Sequence, residues 1–113
     1  PLYSSAASDV YKRQAWKVAE QLSILAGAHQ VICITHLPQI AAMADTHFEI
    51  KKSVENGVTA TKIRKLTEKD EVDELARLLG GAEITEKVRE NAEEMKRLAE
   101  ETKNHRAVLQ TAG

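Results

Sequence analysis

Hydrophobic and polar positions recur along this chain with two different periods, and the changes of period mark out its elements. Ala15, Val18, Ala19, Leu22 and Leu25 recur at helical spacing, which predicts a helix from Ala15 to about Ala26 that Gly27 is placed to end. Val31, Ile32, Cys33 and Ile34 then form an unbroken apolar run within Gln30–Thr35. Such a run predicts a core strand covered on both faces, because a half-exposed strand alternates. Pro38 suits the first turn of a helix and pushes Leu37 toward an extended conformation, so a short helix is predicted from Pro38 to about Ala44.

Beyond Asp45 the period drops to two. Phe48 and Ile50 alternate with His47, Glu49 and Lys51, and β-branched residues populate Val58 to Ile63. Asn56-Gly57 between them is a strong hairpin signal, so strands are predicted over 46–54 and 58–66. Thr59, Thr61, Lys62, Arg64 and Lys65 predict a polar, basic outer face on the second strand, which also guards an edge against unwanted pairing. The helical period then returns. Thr67 is placed as an N-cap, Asp70 and Glu71 fall near the first turn, and Val72, Leu75, Ala76 and Leu79 form one stripe up to Gly80-Gly81. A last helix is predicted from about Thr85 to Lys103, with Val88, Ala92, Met95, Leu98 and Ala99 on one face. Residues 104–113 have no such pattern and are expected to fray. No internal repeat is present.

Composition narrows the class without naming a function. A chain of 113 residues suits one domain or a piece of a larger one. Sixteen basic against seventeen acidic residues give a net charge of −1, so no global basic field holds nucleic acid, and any such contact needs a local patch. The single cysteine excludes an internal disulfide framework and leads to the expectation of a reducing, cytoplasmic location. No apolar run approaches the ~20 residues that span a bilayer. The overall expectation is an α/β fold.

His36 is the main candidate for chemistry. The predicted strand delivers it at its carboxyl end, just before a helix N-terminus; ligands of open α/β sheets bind at that rim, and helix N-termini favour anions. The plainer reading is a histidine that caps a strand end or the following helix. Thr35 can hold the loop by bonding nearby backbone or a ligand, and Gln39 can contact a ligand or an opposing protomer, or simply be solvated. Asp45 most simply ends the short helix. Cys33 and His36, with His29 and His47, invite comparison with a zinc site, but their spacing is not that of paired ligands, and Cys33 is expected inside a core strand, so no metal site is assigned. The same expectation argues against a Cys/His nucleophile couple. Lys51, Lys52, Lys62, Arg64 and Lys65 gather on the predicted hairpin, where they either touch phosphate backbone or form an ordinary solvated edge.

The stretch from Thr35 through His36, Leu37, Pro38, Gln39, Ile40, Ala41, Ala42, Met43 and Ala44 to Asp45 resembles the switch-histidine region of the RecN family, bacterial DNA repair ATPases in the SMC-like branch of the ABC ATPases. The run from Glu74 to Gly81 is similar to that family's helix ending in a double glycine, and Ala15 to Leu22 is similar to the helix before its switch strand. The resemblance covers roughly Ala15 to Lys103. It implies the C-terminal lobe of an ABC/SMC-type P-loop ATPase head over 15–103, with core strand, β-hairpin and C-terminal helices. It implies His36 as the switch histidine that senses the γ-phosphate, with Thr35 and Gln39 beside the nucleotide. ATP and Mg²⁺ are the implied cofactors of the intact protein, though none is expected to bind tightly to this chain, which has no phosphate loop, signature motif or Walker B acid. The implied partners are the rest of the head and its coiled coil, a second head, and DNA, with no membrane, in recombinational repair of double-strand breaks on the nucleoid. Residues 1–14 match nothing in the family and are expected to be a non-native or disordered segment. A self-contained interaction module and a piece of another SMC-like or ABC-type ATPase are the competing expectations.

Overall fold

A computed structural model describes residues 2–112 and the side chains of residues 9–105. Pro1 and Gly113, the outermost residues of the segments expected to be non-native and frayed, lie outside the described residues. Four helices and one hairpin follow in the order α1 (Leu2–Leu25), α2 (Pro38–Ala42), β1 (Phe48–Glu55), β2 (Val58–Lys65), α3 (Glu68–Gly80) and α4 (Glu86–Ala112). The fold is thus mixed helix and strand.

The core is helical and built largely from alanine. Ala19 of α1, Ala41 and Ala42 of α2, Ala76 of α3, and Ala92 and Ala99 of α4 are buried together with Met43 and Leu75. Trp16, Ile40, Val72, Leu78, Val88 and Met95 pack around them half-buried. The predicted helical stripes therefore point inward mainly through their small residues, while Val18, Leu25 and Leu98 lie on exposed flanks. Ion pairs reinforce the α3–α4 contact: Glu71 with Lys96, and Asp73 with Arg89 at 2.5 Å.

Thr67 caps α3 as its residue type suggests, its Oγ1 accepting from the Asp70 backbone N–H at 3.3 Å. The Thr67 hydroxyl in turn holds the Asp70 carboxyl below the ordinary carboxylate value, and the Arg64 guanidinium, 3.0 Å away, pushes in the same direction. A lowered folded-state pKa gives stability that is present above the unfolded value and lost as pH falls through the folded one. As the loss of a helix cap, Thr67→Ala is expected to cost about 1 kcal/mol near pH 7, read as a lower urea midpoint. The difference from the parent chain should shrink below pH ~4, as Asp70 protonates.

The hairpin turns where Asn-Gly predicts it. Asn56 and Gly57 both have positive φ, 53° and 76°, the pair of values a two-residue type I′ turn needs. Antiparallel pairing runs from Phe48↔Lys65 at the base to Glu55↔Val58 at the tip. Every residue of β2 is exposed, and only Glu49 and Ser53 of β1 are half-buried, so the hairpin stands out from the helical core. Together with the long α1 and α4 this raises the radius of gyration to 16.1 Å, against about 13 Å for a compact domain of this length.

Three expectations are corrected. The segment 30–35 is not a core strand: it has no strand structure, and Ile32 and Ile34 are 84% and 85% exposed. A strand exists only by hydrogen bonding to a neighbour, and the two strands present are paired with each other. Second, α1 begins at Leu2 and not near Ala15. Residues 2–14 contain no proline or glycine, so nothing interrupts helical hydrogen bonding through them. Third, α4 runs past Lys103 to Ala112. No helix among the described residues is long and apolar enough to cross a membrane.

Candidate functional site

The approach to α2 is set by local bonding. Leu37, preceding proline, is extended at φ −90° and ψ 121°, and Pro38 opens the helix. The Thr35 hydroxyl accepts from the Leu37 N–H at 3.0 Å, closing a tight turn around His36. The Leu37 carbonyl then accepts from Ile40 and Ala41, at 3.2 and 3.1 Å. Within this frame His36 is exposed and Thr35 half-buried. The other end of α2 is anchored, since Ala41, Ala42 and Met43 enter the core. An exposed imidazole thus sits two residues ahead of a short, firmly seated helix.

Gln39 departs from the simple solvated reading. It is 8% exposed, and its side-chain amide has no hydrogen-bond partner among the described residues. Leaving such a group unpaired typically costs ~1–3 kcal/mol. Thr35, His36 and Gln39 are neighbours in sequence at the start of α2, Thr35 half-buried and bonded within the turn, His36 exposed and Gln39 buried.

Other candidates separate. Cys33 is free and exposed, which corrects the expectation of a core cysteine; it follows from the missing strand, because among the described residues none buries 32–34. Among the described residues no three His, Cys, Asp or Glu side chains gather closely enough to hold a metal ion. Asp45 does more than end a helix. Lys103 of α4, its side chain 11% exposed, donates to the Ala44 carbonyl and the Asp45 carboxylate, both at 3.3 Å. That link between the last helix and the exit of α2 has no sequence signal, since it joins residues 58 apart.

The register redistributes the basic residues. Directly paired residues share a face in an antiparallel ladder, so Lys51, Lys62 and Arg64 lie on one face with Glu49, Ser53 and Ala60. Lys52 and Lys65 lie on the other with Phe48, Ile50, Val54 and Ile63, all 50% or more exposed. The uniformly polar outer face expected for β2 is corrected accordingly. Ile63 shares the face of Thr59, Thr61 and Lys65 because side chains alternate strictly along a strand.

No family model matches the chain. Among curated proteins it is similar to the DNA repair protein RecN of Halalkalibacterium halodurans, 40% identical over 105 residues, which is 92% of this chain and 19% of that protein. The DNA repair protein RecN of Bacillus subtilis is 36% identical over 102 residues, 90% of this chain and 18% of its own length. That of Deinococcus radiodurans is 46% identical over 78 residues, 69% of this chain and 14% of its own. The chain thus spans about a fifth or less of the length of these relatives.

Proposed function

From a chain that is related to the RecN DNA repair proteins over most of its length, we propose that it forms the C-terminal lobe of an ABC/SMC-type ATPase head and presents His36 to the terminal phosphate of ATP. The observation that carries this reading is the uncovered apolar run leading into an exposed histidine. Ile32 and Ile34 are too apolar to be left in water by choice, and burying one such side chain gains about 1.5–3 kcal/mol. Val31–Ile34 becomes the core strand once the sheet of an intact head pairs and covers it, and His36 then stands at that strand's carboxyl end. The apolar hairpin face is covered in the same way.

The polar groups beside the strand suit a phosphate. An imidazole N–H donates to a terminal phosphate oxygen or orients a water beside it, and the Gln39 amide, three residues on in α2, would be a second donor. Thr35 acts indirectly, through the turn that holds His36 outward. ATP with Mg²⁺ supplies the transferable phosphoryl group and most of the charge neutralisation. The phosphate loop, a second head and the coiled coil lie in other parts of the intact protein, so this chain alone is expected to be inactive.

Cys33 provides the test, because it reports whether the run is covered. In the isolated chain its exposed thiol should react with an aromatic disulfide reagent without denaturant. In a full-length RecN-type protein carrying this segment, with Cys33 its only thiol, the reaction should slow by on the order of tenfold or more. Equal rates in the two would remove the basis for a buried strand. A free-standing interaction module predicts that equality.

A further inference from the structure

We propose that Lys103 is a positioning residue for His36: it fastens the exit of α2 to the last helix, so that the turn ahead of α2 holds its imidazole still. What this does for catalysis rests on the ATPase reading above. α2 has five residues, far fewer than the ~12–15 at which a helix becomes even marginally stable alone. Its order must come from its surroundings. Ile40, Ala41, Ala42 and Met43 seat its inner face against the core, which leaves its two ends to be held separately. At the entrance, the Thr35 hydroxyl accepts from the Leu37 N–H and closes the local turn. The exit is held from another element.

That element is α4. The Lys103 Nζ lies 3.3 Å from both the Ala44 carbonyl oxygen and an Asp45 carboxylate oxygen, and 3.6 Å from a Glu100 carboxylate on its own helix. An ammonium has three donors, and three oxygens surround this one. Its side chain is 11% exposed, and lysine is almost never kept from water unless such partners replace it. The other ion pairs of α4 serve other contacts: Arg89 and Lys96 reach α3, while Arg97 pairs with Glu94 and Glu101 within the helix. Only Lys103, among the described cations of α4, is paired at the exit of α2. The Asp45 carboxylate is exposed, where water screens its attraction, so the Ala44 carbonyl is the more durable acceptor. At ~1.5 Å per residue α2 is only about 7.5 Å long, so movement at its exit is felt at its entrance.

The test reads NMR relaxation of the His36 and Leu37 backbone amides in the 113-residue chain. In the parent chain their order parameters should lie near the ~0.85 of rigid backbone, and Lys103→Met should drop them below ~0.6. Lys96→Met is the control: it removes the α4 cation that pairs with Glu71 of α3 and should leave both amides rigid. Methionine keeps an apolar stem in each case, so circular dichroism should show both variants folded. Lys103→Arg keeps the charge and the donors and should retain the order; it remains readable if Lys103→Met does not fold. Mobility already present in the parent, unchanged order in Lys103→Met, equal loss in Lys96→Met, or loss in Lys103→Arg overturns the proposal. In a full-length RecN-type protein carrying this segment, Lys103→Met should also lower ATP turnover roughly three- to tenfold, with nucleotide affinity within about twofold. Order lost with turnover unchanged would keep Lys103 as the tether and remove the phosphate role of His36.

Discussion

Replacing His36 by alanine in a full-length RecN-type protein carrying this segment will lower ATP turnover roughly ten- to hundredfold and leave nucleotide affinity within about twofold. The magnitude follows from one hydrogen-bonding partner. A polar group left without its mate typically loses ~1–3 kcal/mol, and each ~1.4 kcal/mol borne only by the transition state is a factor of ten in rate. The asymmetry follows from the proposed placement of His36. His36 is exposed, makes no contact on which the core depends, and leads into a helix anchored by Ala41, Ala42 and Met43, so its loss should not unfold the lobe. In the head proposed above, binding energy for the nucleotide would come mostly from a phosphate loop and metal outside this chain. Single-turnover hydrolysis and equilibrium nucleotide titration on the same preparation separate the two effects. Equal losses in affinity and turnover would show that the ring serves binding uniformly or does not face the phosphate.

Leu75→Ala will lower the unfolding free energy of the chain by about 2–5 kcal/mol. Leu75 is 1% exposed and is the largest side chain fully buried in the core. Its buried neighbours are mainly alanines, with Met43 the one long flexible side chain among them. Alanine has no rotamers with which to fill a void, so most of the cavity should persist, and persistent cavities lie at the costly end of such substitutions. A small core rarely supplies more than ~3–5 kcal/mol in total, so the variant should be near its unfolding midpoint without denaturant. Leu79→Ala, at a residue 36% exposed on the same helix, is the comparison and should cost under ~1 kcal/mol. Urea titration by far-ultraviolet circular dichroism reads both. A loss below ~1 kcal/mol at Leu75 would mean that the alanine-lined interior closes around the gap.

Local chemistry was legible in the chain, and long-range cover was not. Asn56-Gly57 marks its turn because few other residues tolerate two successive positive φ values, and Thr67 marks the start of α3 because its hydroxyl satisfies a free N–H. Pro38 likewise places the start of α2 and the extended Leu37. Each of these signals acts within four residues. The run Val31–Ile34 misleads because apolar composition states a preference for burial and carries no information about what does the burying. Cys33 was misplaced for the same reason. The division of the hairpin lysines between two faces depends on register, which the turn fixes only once both strands are known. The burial of Gln39 and the reach of Lys103 to Ala44 arise from packing between segments far apart in sequence. The site residues at the entrance to α2 were thus nameable from their neighbours, and their surroundings were not.

The many alanines where α1, α2, α3 and α4 meet bear on how this lobe can respond to load. A methyl group has no torsion to absorb displacement, so contacts made through such residues are stiff. Strain entering at α2 meets methyl groups first, with Met43 and Leu75 the larger side chains of the buried core. It is passed on as translation or rotation of whole rods, with the Lys103 tether drawing the last helix along. An interior of this kind behaves as a gear train and not as a cushion.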